Sequence, residues 1–341
     1  MAALFAEFAR TASPRAPLYH RLATGIAADP ALAALLLSAP PMQRQPVLLF
    51  ACIHDLLLAG RPDEGLARFY PDLVAEPDDG DPMPAFAAFT AAHADELAEL
   101  LVTRSTQTNE IGRCALLLPA FGLVADEIGP LAHVDVGASA GLNLLLDRYH
   151  YTYEPGRQLG RPSTVELRCG TRGRVRLPSA LPPIVERVGL DRSPVDVDDD
   201  DAARWLTACV WPDQTDRVER LQAAIGIARA IGVDVRPGDA VTDTAALVLG
   251  AEAHPVVTTT WVLNYLSEIE RRAFVDVLDA CGRRRDVTWV FAESPVLVPE
   301  LPTVDARTST TALVLVRWRK GRRTARHLAE CHPHGYWLQW R

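Results

Sequence analysis

The segment HVDVGASAGLNLLL (133–146) places an acid, two glycines and a serine at alternating positions: Asp135, Gly137, Ser139 and Gly141. Two chemistries fit that spacing. In a G-x-S-x-G elbow, Ser139 is a nucleophile on a sharp strand-to-helix turn. In a glycine cradle, Gly137 and Gly141 bend the backbone with no Cβ in the way, so that it can approach a ligand. A helix opening at Leu142 would then aim its free N–H groups at the same space. The elbow needs several strands before it and an oxyanion loop. The residues upstream read as helical, and no HGGG-type stretch occurs. The cradle is therefore favoured. A serine hydrolase using Ser139 stays as an alternative, because His254, His327, His332 and His334 lie downstream.

Further acids recur where a sheet could gather them. Asp191 closes the apolar run IVERVGLD, and Asp239 with Ala240 follows the run VDVRP. Parallel sheets bind ligands beyond the carboxyl ends of their strands. Asn109, Glu110 and Arg113 crowd the stretch TQTNEIGRC just before the Asp135 strand. They read either as a helix cap or as a polar lid over a cofactor. Asn264 and Tyr265, in WVLNYLSE, follow a later strand and could orient a substrate amine or hydroxyl; alternatively Tyr265 is a core aromatic. Glu293 ends VTWVFAE. It could act as a general base if its pKa were raised, or serve only as a cap or salt-bridge partner. The acid run VDVDDDDAARW reads as a helix start, not a metal centre, and CHPHG as a turn, so no metal site is expected.

The elements that must position these residues follow from texture. Residues 1–105 read as an all-α N-terminal domain, cut by proline-rich joints. Residues 106–341 read as a second domain in which short β-branched runs alternate with helical stretches, the pattern of a parallel sheet with helices on both faces. TALVLVRW and ARHLAEC, joined by RKGRR, read as antiparallel closing strands. Residues 150–183 read as an inserted hairpin flap without a helix. The expected fold class is α/β: a Rossmann-like, doubly wound, mostly parallel sheet with a C-terminal antiparallel hairpin, preceded by the helical domain.

With these runs in place, residues 133–341 resemble the class I S-adenosylmethionine-dependent methyltransferases. VDVGASAGLNLLLDRY, RVGLDRSPVDV, WLTACVWPD and GDA resemble, more closely and over most of the chain, an uncharacterised bacterial family, domain of unknown function 2332. That family brings no reaction with it. The methyltransferase resemblance implies S-adenosylmethionine as cofactor. Asp135, Gly137, Ser139 and Gly141 would line its amino-acid end, Asp191 would accept from the ribose hydroxyls, and Asp239 with Ala240 would border the adenine. It also implies that Asn264 and Tyr265 face the transferred methyl. About fifty residues separate Gly141 from Asp191, where about twenty is usual after such a loop, so Glu154 competes for the ribose. Asp191 is favoured because IVERVGLD reads as a buried strand and YHYTY as an exposed flap. The expected function is methyl transfer to a small-molecule acceptor; a non-catalytic nucleotide-binding module is the other reading.

Composition limits the partners. A chain that is 48% hydrophobic and 23% charged can bury a sizeable core. A net charge of −8 argues against binding a nucleic-acid backbone. The longest apolar run, PVLLFACIHDLLLAG, is short for a bilayer and carries His54 and Asp55, so no membrane partner is expected. Six cysteines without a C-x-x-C pair point to reduced thiols and a cytoplasmic setting. The single lysine, Lys320, lies in an arginine-rich turn, which disfavours Schiff-base chemistry. The oligomeric state is left open.

Overall fold

The computed structural model describes residues 1–13, 15–60, 64–298 and 311–341. They fall into two compact units: a helical unit of residues 1–108 with 196–222, and a sheet unit of residues 109–195 with 223–341.

The helical unit opens with α1 (Ala2–Ala12), α2 (Pro17–Ala28), α3 (Pro30–Ala34), α4 (Pro46–Leu58), α5 (Glu64–Ala67), α6 (Met83–Ala92) and α7 (Ala94–Thr103). The proline joints are helix starts. Proline occupies the first turn of α2, α3, α4 and α6, where its missing N–H has no intrahelical acceptor to lose. Apolar side chains converge on a core that includes Phe5, Tyr19 and Phe50, with Tyr19 stacked on Phe50 at 4.5 Å between ring centroids. Residues 196–222 return to this unit through α9 (Asp200–Ala208) and the first half of α10 (Thr215–Ile231), and Trp205 joins the same core. The acid run before α9 is a helix start, as its composition suggests. Asp199 Oδ1 accepts from the backbone N–H of Asp201 at 2.9 Å and of Ala202 at 3.3 Å.

The sheet unit holds β1 (Leu131–Val136), β2 (His150–Glu154), β3 (Arg157–Leu159), β4 (Glu166–Arg172), β5 (Ile184–Asp191), β6 (Val235–Pro237), β7 (His254–Thr260), β8 (Val287–Glu293), β9 (Thr311–Arg319), β10 (Arg322–Cys331) and β11 (Trp337–Trp340). They form one sheet in the order β3-β2-β4-β11-β10-β9-β8-β7-β1-β5-β6. The run β6-β5-β1-β7-β8 is parallel throughout, and β9 joins β8 antiparallel. Every residue of β1 and β8 is buried, as expected of strands covered on both faces. On one face, α12 (Glu268–Arg284) brings Phe274 and Leu278 against Trp289 and Phe291. On the other, Phe121 of α8 (Cys114–Ile128) meets His133 edge-on at 4.8 Å. The RKGRR turn links β9 to β10 through two left-handed residues, Lys320 (φ 48) and Gly321 (φ 76).

Two expectations are corrected. The 150–183 segment is not an exposed flap. β2 and β3 do pair as a hairpin, but β2 also pairs in parallel with β4, and β4 in parallel with β11, so the insertion extends the main sheet. Tyr149, Tyr151 and Tyr153 are buried. Their hydroxyls donate to the backbone carbonyls of Leu142, Leu146 and Ala115 at 2.6, 2.5 and 2.7 Å. This removes the reason for ranking Glu154 below Asp191; Glu154 is nevertheless exposed at the end of β2. Second, no α-helix follows the glycine turn. Leu142–Arg148 is a 3-10 stretch that departs from helical geometry at Leu145. Such a short, kinked segment does not supply the aligned N–H groups and macrodipole of a long helix.

Among the described residues, no single helix is long and apolar enough to cross a membrane.

Candidate functional site

The carboxyl ends of β1, β5, β7 and β8 bring most of the candidate residues together. The turn after β1 is built from left-handed residues: Gly137 (φ 76), Ser139 (φ 54) and Gly141 (φ 71). Asp191, at the end of β5, holds it in place. Its Oδ2 accepts from Ser139 N at 2.8 Å, while its Oδ1 accepts from Ser193 N at 2.8 Å. Gly137 N also donates to Leu190 O at 2.7 Å. Asn109 reaches the far side of the turn, where its Oδ1 accepts from Leu142 N at 3.1 Å.

Gly141 is buried and Gly137 is exposed, but neither has room for a side chain. A Cβ on Gly137 would lie 2.4 Å from Val262 Cγ2, and one on Gly141 would lie 2.7 Å from Val235 Cγ2. The space that a Cβ would take is filled by two valine side chains, so close protein packing alone already demands glycine at both positions, while the backbone of Gly137 stays exposed.

Asp239 lies beyond β6. Its Oδ2 accepts from Arg192 Nε at 2.9 Å, and its Oδ1 accepts from Val241 N at 2.8 Å. The Arg192 hydrogen bond is the largest influence holding its carboxyl below the usual range. Arg192 also donates to Glu270 at 3.0 Å, tying the start of α12 to this edge. Ala240 is half-buried, and its carbonyl accepts from Thr244 Oγ1 at 2.7 Å.

Two carboxyls stand out. Asp135, buried in β1, accepts from Thr258 Oγ1 at 2.5 Å, and Thr258 Oγ1 in turn lies 2.8 Å from His133 Nε2. The sharing is consistent if His133 carries its proton on Nε2 and donates to the threonine, which donates to the carboxyl. Burial drives the imidazole down to about 3 and the Asp135 carboxyl up to about 7. The second oxygen, Oδ2, has no hydrogen-bond partner among the described residues. Glu293, fully buried at the end of β8, accepts from Val262 N at 2.9 Å and Leu263 N at 3.4 Å. Burial raises its carboxyl to about 7, and its Oε2 is likewise unmatched. Arg113 is the cation near both carboxyls and opposes both shifts. It donates to Thr260 O at 2.8 Å and to Pro333 O at 3.0 Å. Acids with pKa values near neutrality at strand ends are candidates for proton transfer.

The remaining candidates separate from this cluster. Asn264 and Tyr265 sit on an exposed 3-10 turn, Leu263–Tyr265, after β7, and Tyr265 is 72% exposed. Tyr265 is thus not a core aromatic. The turn begins at Trp261, another left-handed residue (φ 58).

Sequence reasoning missed two participants and read a third only as a possible hydrolase base within a turn. His133 and Thr258 belong to the Asp135 chain. The H-x-D spacing was visible, but Thr258 becomes its partner only through the register of β1 on β7, which pairs Asp135 with Thr258. His334 is the third. It sits 3.1 Å from Glu110 Oε2, while Glu110 Oε1 caps the 3-10 turn Ile111–Arg113. The CHPHG turn and the NEIGR segment touch backbone to backbone: a Cβ on Gly335 would lie 1.9 Å from Gly112 O.

No curated protein and no solved structure gives a significant match to this chain. A family model described as an uncharacterized protein conserved in bacteria, domain of unknown function 2332, matches residues 2–340, and the chain belongs to that family.

Proposed function

We propose that the sheet unit binds S-adenosylmethionine and transfers a methyl group to a small-molecule acceptor, with β6-β5-β1-β7-β8 as its Rossmann-like, doubly wound core. The strand order carries this reading. Chain order reverses beside β1: β5 and β6 lie on one side of it, β7 and β8 on the other. The crevice beyond such a reversal is where open parallel sheets bind ligands. Asp135, Asp191 and Asp239 lie at or just beyond the carboxyl ends of three adjacent parallel strands, so their acids share one edge.

The backbone layout fits a nucleoside-bearing cofactor, with Gly137 exposed and Val262 crowding one side of it. That side chain rides on the short turn from Trp261 to Tyr265 and fills the place of a Cβ on Gly137, so a shift of this turn would widen access to the glycine backbone. Asp191 already accepts two N–H bonds, yet each carboxylate oxygen retains a further lone pair for ribose hydroxyls. S-adenosylmethionine would supply an activated methyl. The protein's share is then positioning, with removal of a proton from the acceptor where required. Glu293 suits the proton-accepting role, since its carboxyl titrates near 7 and one oxygen is uncommitted.

A second reading is a non-catalytic module whose sheet holds a nucleotide-like ligand or none, and the valines packed on Gly137 and Gly141 suit the latter case. Native mass spectrometry of freshly purified protein, before and after addition of S-adenosylhomocysteine, tests the first reading. A stoichiometric adduct is expected. Folded protein that takes up none at millimolar nucleoside removes it. An adduct without turnover across an acceptor panel leaves the binding module.

A further inference from the structure

The first turn of α12, the 3-10 turn after β7 and the chain just past β8 enclose a cavity of about 270 Å³. Its apolar wall is Leu263, Val275 and Val296 to Val298; its polar wall is Glu268, Arg271 and Arg272. The charges are not equivalent. Arg272 donates to Glu268 at 2.6 Å, so these two largely answer each other. Arg271 points inward to the turn, and its Nη1 donates to Leu263 O at 3.3 Å and to Leu266 O at 2.6 Å. Its Nε and Nη2 have no hydrogen bond among the described residues, and no carboxylate there is paired with it. A half-buried guanidinium with one edge committed to carbonyls and the other edge free is arranged to receive an anion in fork geometry. The surrounding aliphatic surface suits a compact apolar body.

We infer that this cavity binds a small organic carboxylate, its anionic end on Arg271 and its apolar body against Leu263, Val275 and Val296. An anion is also what a net lining charge of +1 selects, in a chain whose own net charge is −8. The cavity shares Leu263 with the turn that Glu293 holds, and Asn264 and Tyr265 continue that turn. On the proposed function the carboxylate is the methyl acceptor: one of its oxygens would form the new O–CH3 bond as the S–CH3 bond of the sulfonium donor breaks, S-adenosylhomocysteine would leave as the thioether, and no proton would need to be removed from the acceptor. That last step rests on the proposed function; binding of the carboxylate does not.

The test uses the full chain and measures dissociation constants by calorimetry and saturation-transfer NMR. Benzoate is the probe, benzamide its neutral isostere, and inorganic phosphate an anion without an apolar body. Benzoate is expected to bind at least about tenfold more tightly than benzamide and phosphate, the gap set by one charge-assisted fork. Arg271→Met should erase the preference for benzoate over benzamide. Because Arg271 also holds the turn, Val275→Phe provides a second variant, which fills the cavity from α12 and leaves the guanidinium in place. It should abolish benzoate binding while thermal unfolding stays cooperative. Equal affinity for benzoate and benzamide, tighter binding of phosphate, undiminished benzoate binding in folded Val275→Phe, or no binding of any probe would each overturn the inference. S-adenosylhomocysteine is titrated separately. Loss of that interaction with benzoate binding intact would defeat the methyl-transfer reading and leave the carboxylate site standing.

Discussion

Buried carboxyls behave differently in the two units. In the helical unit, Asp55 is buried beside His54 on the mostly apolar α4, but Arg204 Nε donates to it at 3.0 Å. Burial raises its pKa and Arg204 opposes the rise. His54, one residue earlier, places Nε2 2.8 Å from Asp72. These acids tie elements together: Arg204 belongs to α9, and His54 Nδ1 also lies 3.1 Å from Ala208 O. In the sheet unit, among the described residues, Asp135 and Glu293 have neutral or backbone donors and no cation in hydrogen-bond contact, and each keeps one unmatched oxygen. A paired buried acid is a brace. An unpaired one carries an electrostatic cost that a purely structural role does not require, which is why strand-end acids of this kind point to chemistry.

The contrast can be broken most severely from the helical side. Arg204→Met leaves Asp55 buried without its cation and should destabilise that unit by about 3 kcal/mol at pH 8. The loss should shrink as pH falls towards 5, because Asp55 then takes up a proton. Denaturant unfolding at the two pH values checks this, and an equal loss at both would mean that Asp55 is not charged in the fold.

On the sheet side burial again raises the carboxyls, here with no hydrogen-bonded cation among the described residues to oppose it. Asp135 and Glu293 have folded pKa values of about 7, above the ordinary 3.8 and 4.5, so the folded state binds more protons between those limits. Stability should fall as pH rises through that window and stay reduced above it. Asp135→Asn removes its share of the slope. At pH 8 the variant should equal or exceed the parent by on the order of 1–3 kcal/mol, while at pH 4 it should gain nothing. A variant less stable at pH 8 by as much as at pH 4 would make Asp135 an ordinary brace. His133 acts at the acid end. Its pKa of about 3 keeps it neutral in the fold, so stability that it contributes is lost as pH drops below about 6.5.

The smallest effect comes from a satisfied polar group. Tyr153→Phe removes the donor to Ala115 O, leaving a buried carbonyl unmatched, and should cost about 1–2 kcal/mol in thermal or chemical unfolding with little change in pH dependence.

How much of this was legible in the sequence depends on whether the deciding contact was local. PVVTTT and VTWVFAE are nearly continuous apolar or β-branched runs, IVERVGLD carries Val, Ile and Leu around a charged pair, and each became a strand of the parallel core. The turn 137–141 was legible because Gly137 and Gly141 need positive φ. Tyr149, Tyr151 and Tyr153 misled because tyrosine is amphipathic: the ring wants burial and the hydroxyl an acceptor, and the carbonyls that satisfy it lie up to 38 residues away. The return of residues 196–222 to the helical unit was hidden for a related reason. An amphipathic helix announces that it has a partner and not which one, and Trp205 finds its partners in the helical core. The site was legible as a set of strand-end acids. What was not legible is their state, since Val262 against Gly137 and Thr258 against Asp135 are contacts between segments far apart in the chain.

The central claim, a nucleoside cofactor seated at the 137–141 turn, is tested most directly by titrating S-adenosylhomocysteine calorimetrically into the parent, Val262→Ala and Asp191→Ala. The account expects binding to the parent, tighter binding once the valine beside Gly137 is trimmed, and none without Asp191. Absence of heat with both the parent and Val262→Ala, each folded, or undiminished affinity in Asp191→Ala, would contradict it.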